Sequence, residues 1–337
     1  MLYRYKATPK SPFMTEIMSD TLFGHLCWAL AYTEGDKSLE EFLTRYEQNK
    51  PAPILFSSAF PAGHLPRPTL PSLSREKSNA LIHDYLGEDR KKIVKIVSRL
   101  KALSKKKFIA IDDWNILKDS YSQQNLYEIL LKRQDAEEIF VNPETSASNT
   151  ISRINGCTLE EGGFFTREKV WHHKDTALEI YVQADDSEYD RAHWFLTEYL
   201  PQNGFGADKS VGMGHMTIER DEKFAPEVFS VNEPNARMSL CLAAFEGIGS
   251  INASYRLNTK FGKLGGSFAF SSPTGGNPKP FKKPILMCEP GAIFFCQDEL
   301  NDRPLLNHVH SEPTANIRHC GIPITLPLKM KTSEVYP

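Results

Sequence analysis

Residues 204–214 read GFGADKSVGMG, with glycine at Gly204, Gly206, Gly212 and Gly214. The stretch decides the fold because of what flanks it. Before it lies DRAHWFLTEYL, a helical pattern over about 188–200 that Pro201 is expected to stop. After it comes MTIE at 216–219, which alternates as a strand. A glycine run between a helix and a strand is not a Walker A loop or a dinucleotide fingerprint, since both run from a strand into a helix. Four glycines permit positive φ and close approach of another chain. Free N–H groups in such a loop can form an anion-binding nest. Lys209 and Ser210 add a cation and a hydroxyl, and His215 stands at the edge of the next strand. A tight helix-to-strand turn would by itself also account for the glycines.

Toward the N-terminus the pattern stays mixed. Residues 2–8, LYRYKAT, read as a strand broken by Pro9 and Pro12. A helix over about 20–33 follows, with Ser19 or Asp20 as its cap and Leu22, Leu26, Ala29 and Leu30 on one face. Residues 51–73 hold six prolines and predict an irregular, partly extended connection whose Ile54, Leu55, Phe56, Phe60 and Leu65 seek burial. Residues 89–107 form a basic amphipathic helix with no acid after Asp89, leading to a strand at FIAIDDW. Its charged side is either a solvated face or a surface for phosphate or a partner. The polar, glycine-containing stretch 142–176 reads as a functional loop or hairpin, and ALEIYVQAD after it as a strand.

Beyond an acidic, proline-containing linker at 219–236, strands dominate: MSLCLAAFEG, SYRLNTKFGK, a hairpin of 283–288 with 292–297 through Glu289-Pro290-Gly291, and a closing GIPITLPLKM. Two domains follow, at 1–220 and 237–337. Hydrophobic residues make up 40% and charged residues 24% of the 337, the balance of a globular chain. The net charge of −2 gives no global field for a polyanion, so any such ligand must use a local patch. Six scattered cysteines without a CxxC pair read as buried, reduced thiols. No signal-peptide core and no run of about 20 apolar residues is present, so the expectation is a cytoplasmic protein without a membrane span.

The segment GFGADKSVGMGHM resembles the glycine-rich signature of RAMP proteins, the RRM-like subunits of CRISPR effector complexes. SDTLFGHLCWAL resembles the opening helix of one RAMP family, the fourth subunits of type III-A (Csm) effectors. LPRPTLP, KKKFIAIDDW, NTISRINGCTLEEGGFF and GIPITLPL follow in family order, so the likeness runs over nearly the whole chain. It implies an α+β fold of two ferredoxin-like (RRM-like) domains with a glycine-rich loop and an inserted thumb-like hairpin. It also implies a non-catalytic subunit that binds the 5′ handle of the CRISPR RNA. The implied protein partners are the large polymerase-like subunit and the repeated backbone RAMP subunit. The matching positions are Ser19, Asp20, Thr21 and His25 at the helix opening, Arg153 in the hairpin, and Gly204, Gly206, Lys209, Ser210, Gly212, Gly214 and His215 in the loop. Lys260, Lys263, Gly265 and Gly266 form an expected second contact. Phe205, Phe261 and the Phe164-Phe165 pair stand beside these loops, as core residues or as stacking partners for bases.

The alternative is a metal-independent endoribonuclease processing precursor CRISPR RNA, with general acid–base candidates His25, His64, His172, His173, His193 and His215. No second catalytic group pairs with His25 in the sequence, and the expectation is no catalytic residue, cofactor or metal. His308, His310, His319 and Cys320 supply zinc-type donors but lack a recognised ligand spacing. Asp112-Asp113 and Asp185-Asp186 are read at strand ends, where neighbours point to opposite faces.

Overall fold

The computed structural model describes residues 1–46, 50–86, 90–133, 139–174, 176–246, 251–269, 279–311 and 316–331. Asp89 of the basic run, Asp175 of the polar stretch and the last six residues of the expected second domain lie outside them. In chain order the first strand β1 (Leu2–Pro9) precedes helices α1 (Ser19–Thr33) and α2 (Asp36–Thr44). Short strands β2 (Ile54–Phe56), β3 (Phe60–Pro61) and β4 (His64–Pro66) come next. A helical insertion then holds α3 (Arg75–Leu86), α4 (Arg90–Ser104), strand β5 (Phe108–Ala110), α5 (Ile111–Leu117) and α6 (Gln123–Lys132). After it come β6 (Val141–Asn149), β7 (Phe164–His172) and β8 (Leu178–Ala184). Helices α7 (Tyr189–Trp194) and α8 (Leu200–Asn203) lead to β9 (Met216–Arg220).

The alternation of β1 buries Tyr5 and Ala7 and exposes Lys6 and Thr8, as period-2 geometry requires. Its two edges pair antiparallel with β8 and β9, and β2 closes the sheet in the order β2-β8-β1-β9. Leu22, Leu26, Ala29 and Leu30 of α1 are all fully buried, and the five apolar residues of the proline-rich connection are buried as expected. β8 is buried on both faces because Phe224 and Phe229 pack edge-on against the Tyr181 ring at 5.8 Å. The stretch read as a linker is thus an ordered cover.

Several local expectations are corrected. Met18, not Ser19 or Asp20, occupies the N-cap of α1, and no side chain caps it. Ser19 Oγ instead accepts from Leu242 N–H at 3.0 Å. Pro201 does not stop its helix. Residues 195–199 form a π turn in which Leu200 N–H reaches Phe195 O, and this wider turn accommodates the proline ring. The helix ends at Gly204, at φ 71°. FIAIDDW is a strand only to Ala110, so Asp112 and Asp113 lie in the first turn of α5, where acids suit the helix dipole. Asp113 is buried against Arg133 at 2.8 Å.

The later strands are β10 (Ala236–Ser239), β11 (Ala243–Ala244), β12 (Ala253–Ser254), β13 (Leu257–Lys260), β14 (Ile285–Cys288), β15 (Ile293–Phe294) and β16 (Thr325–Leu328). They form two sheets, β12-β15-β10-β16 and β11-β14-β13. The expected hairpin of 283–288 with 292–297 does not form, because β14 and β15 enter different sheets. Its turn is held elsewhere: Gly291 N–H donates to Ser239 O, and Gly291 O accepts from Thr69 N–H. Among the described residues no α-helix follows Asn203, so the expected second ferredoxin-like unit lacks a helical layer. One hydrophobic cluster extends from Tyr5 to Met330 and joins both regions.

Candidate nucleic-acid interface

The stretch 142–176 builds a long antiparallel hairpin, with all nine residues of β6 paired to β7 from Val141↔His172 to Asn149↔Phe164. The hairpin meets the body through a bridge between Phe13 and Val170. Side chains two apart on β7 share a face. One face therefore carries Phe165, Arg167, Lys169 and Trp171, an aromatic-cation-cation-aromatic stripe. The Arg167 guanidinium lies 5.1 Å from the Phe165 ring centroid, and Lys169 Nζ lies 5.7 Å from that of Trp171. Across the hairpin Glu144 pairs with Lys169 at 3.0 Å and accepts from Trp171 Nε1–H at 2.6 Å. These contacts hold the carboxyl of Glu144 below its ordinary pKa.

The glycine loop lies beside this stripe, joined to it by an ion pair of Arg167 with Asp208 at 3.4 Å. Asp208 sits in the left-handed region at φ 57°, which Asp tolerates. The loop is stitched to residues 10–15. Phe205 N–H donates to Gly214 O, and Gly214 N–H to Pro12 O, each at 2.9 Å. Ala207 N–H donates to Thr15 Oγ1 at 3.1 Å, and His215 N–H to Ser11 Oγ at 2.8 Å. Phe205 is buried and stacks on His25, with centroids 4.8 Å apart. His25 Nε2 accepts the Gly206 N–H at 3.2 Å, which requires that nitrogen to be unprotonated. Burial, and secondly Lys209, push the His25 pKa down to about 4. The nest is therefore partly filled by the protein itself. Among the described residues the N–H groups of Lys209 and Ser210 keep no acceptor, and both side chains are exposed.

The structure brings together Gly204, Gly206, Lys209, Ser210, Gly212, Gly214, His215 and His25. It turns the other helix-opening residues inward. Asp20 is buried and pairs with Lys260 Nζ at 3.1 Å, and Thr21 Oγ1 accepts from the same ammonium at 3.2 Å. His319 lies 3.7 Å from Asp20, and Lys282 donates to Arg318 O. Burial lowers the pKa of Lys282 to about 8 and that of His319 well below its ordinary value. Ser19, Asp20, Thr21 and Lys260 thus join α1 to the C-terminal region. Gly265 and Gly266 lie against the Trp28 indole, where a Cβ on Gly266 would come within 2.5 Å of the ring. Lys263 is exposed, and Arg153 stands at the exposed hairpin tip. The stripe on β7 was missed in the sequence, although FFTREKVW carries its signal as aromatic and basic residues at period 2.

The remaining histidines disperse. His193 Nδ1 meets the Tyr5 hydroxyl at 3.1 Å, His172 sits edge-on to Phe13, and His173 is exposed. His310 Nε2 contacts Lys279 O. Among the described residues no group of three His, Cys, Asp or Glu side chains gathers to hold a metal ion, and no helix is long and apolar enough to cross a membrane.

No family model matches the chain, and neither does any curated protein. Solved structures do. The Csm4 chain of a Csm3–Csm4 subcomplex of the type III-A CRISPR–Cas interference complex superposes with a TM-score of 0.57 at 15% identity, over 97% of this chain and 99% of that one. The Csm4 chain of a Csm1–Csm4 cassette in complex with cA4 gives 0.54 at 14%, over 98% and 99%. The chain has the Csm4 fold. The likeness spans 97–98% of the chain.

Proposed function

We propose that the chain is a non-catalytic RNA-binding subunit of a type III-A CRISPR effector, holding the 5′ handle of the CRISPR RNA. The observation that carries this reading is the Phe165–Arg167–Lys169–Trp171 stripe, fastened by Arg167 to the glycine loop that presents Lys209 and two free N–H groups. Single-stranded RNA is held by bases stacked on aromatic rings and phosphates met by cations and backbone N–H. The connectivity β1-α1-β2 and β8-α7/α8-β9, in sheet order β2-β8-β1-β9, supports a ferredoxin-like N-terminal unit. The Csm4 fold supports membership of such a complex, with the large polymerase-like subunit and the repeated backbone subunit as partners in the cytoplasm. A non-catalytic role agrees with His25, whose accepting nitrogen is occupied by Gly206 and whose ring is stacked.

The test is fluorescence anisotropy of handle-containing RNA with the full chain. Trp171→Ala is expected to weaken binding by about 5- to 150-fold, the equivalent of about 1–3 kcal/mol for one stacked base. Lys209→Glu replaces a phosphate contact by a repulsion and is expected to weaken it at least about tenfold, with a shallower salt slope. Unchanged affinity in both variants would refute the reading. So would metal-free cleavage of a repeat-containing precursor that disappears in His215→Ala.

A further inference from the structure

The helix α4 and the segment after it carry nine cations between Arg90 and Lys107 and no acid, in a chain whose net charge is −2. The fold uses one side of this helix. Ile96, Val97 and Leu100 are half-buried, Leu103 is buried, and Arg99 donates to the backbone oxygens of Leu130 and Arg133 at the end of α6. The opposite side is left alone. Lys95, Lys101, Lys105 and Lys107 are exposed, and among the described residues none has an acidic partner. Lys101 and Lys105 are one turn apart, where like charges repel by a few tenths of a kcal/mol. Nothing within the described fold offsets that repulsion, whereas a polyanion would.

Tertiary structure joins the C-terminal end of this helix to the root of the hairpin already described. Lys107 runs into β5, where its carbonyl accepts from Arg67 N–H at 2.9 Å. Phe108 of β5 packs edge-on against Phe140 at 5.9 Å, and Phe140 O accepts from His173 N–H at 3.0 Å. Phe140 and His173 are the root of the hairpin. Its adjoining residue His172 packs on Phe13, which in turn reaches Phe205 of the glycine loop with centroids 6.5 Å apart. A chain of contacts thus leads from the end of the basic helix, through the hairpin root, to the glycine loop about 100 residues further along the sequence.

We infer that the exposed face of α4 and the turn after it, through Lys95, Lys101 and Lys105, binds the phosphate backbone of RNA extending beyond the stretch held by the glycine loop and β7. This inference rests on the reading of that loop as an RNA site. The face offers no ring on which a base could stack: among the described side chains its exposed residues besides the cations are Val94, Ser98, Ala102 and Ser104. The contact is therefore electrostatic and sequence-independent.

The test compares two single-stranded RNAs that share the handle, one of about 8 nucleotides, within one module's usual site size, and one of about 30. Each is titrated against the full chain at several salt concentrations. In the combined variant Lys95→Glu, Lys101→Glu and Lys105→Glu, affinity for the long RNA is expected to fall at least tenfold. Its salt slope is expected to drop by about 2, since three single-strand phosphate contacts contribute about 0.7 each. The short RNA is expected to bind as before, whereas Lys209→Glu weakens both. The corresponding triple glutamine variant, with its thermal melt, separates loss of charge from loss of fold. If the parent binds the short RNA and both triple variants bind the long RNA unchanged, this inference fails while the loop reading stands. It fails equally if the triple variants change only association with a protein subunit, which would make the face a dock for an acidic protein surface. If the parent binds neither RNA, the loop reading itself fails.

Discussion

Gly214→Ala is expected to destabilise the chain by roughly 3–5 kcal/mol, whereas Gly212→Ala should cost about 1 kcal/mol. Both glycines have positive φ, 68° at Gly214 and 93° at Gly212, so both substitutions carry the left-handed penalty. They differ in space. A Cβ on Gly214 would stand 1.9 Å from the carbonyl oxygen of Phe205, while nothing lies within 4 Å of one on Gly212. The obstacle at Gly214 is backbone and cannot rotate away. Relieving it breaks the paired bonds Phe205 N–H to Gly214 O and Gly214 N–H to Pro12 O. The buried Phe205 ring and its stack on His25 then lose their position, and Lys209 and Ser210 lose the wall that presents them. Denaturant midpoints of the two variants, measured beside RNA affinity, check this. Equal losses in the two would contradict the geometric account.

Acidification is the second large effect. The pKa of His25 is about 4 in the folded chain and about 6.5 when unfolded. Above pH 6.5 both states are neutral at this residue and its contribution to stability is fully present. As the pH falls from about 6.5 towards 4, the unfolded chain takes up a proton that the folded chain refuses, and stability is lost. The limit for this one group is about 3 kcal/mol. His319 and His172, both lowered by burial, add to the loss in the same direction. Protonation also removes the acceptor for Gly206 N–H, so the loop opens as stability falls. His25→Gln keeps an acceptor without titrating, and its melting temperature is expected to fall less steeply across this range. Parallel curves for parent and variant would remove His25 from the account.

The elements legible in the sequence share a cause. β1, α1, β8 and β9 each bury one face or run against a packed core, and a hydrophobic period records that directly. The hairpin was visible because a polar, glycine-containing stretch of that length needs its own backbone pairing. The failures have causes too. Pro201 predicts a stop because its ring forbids a normal α turn, but a π turn before it removes the clash. The short turn that joins β14 and β15 predicts that they pair. That turn is anchored to Ser239 and Thr69, and this sends the two strands into separate sheets.

The candidate site divides in the same way. Sequence by itself determined that residues 204–214 are a glycine loop between helix and strand, that one helix is basic on one side, and that no motif for nucleotide hydrolysis is present. Which polar residues face outward was decided only in three dimensions. Ser19, Asp20 and His25 sit in the opening helix beside Thr21, yet Asp20 answers a lysine 240 positions away and His25 a glycine 181 positions away. Arg167 gained its place in the interface in the same manner, from Asp208. A polar side chain removed from water must find its partner wherever the fold brings one. Periodicity, which registers only neighbours along the chain, carries no record of that choice.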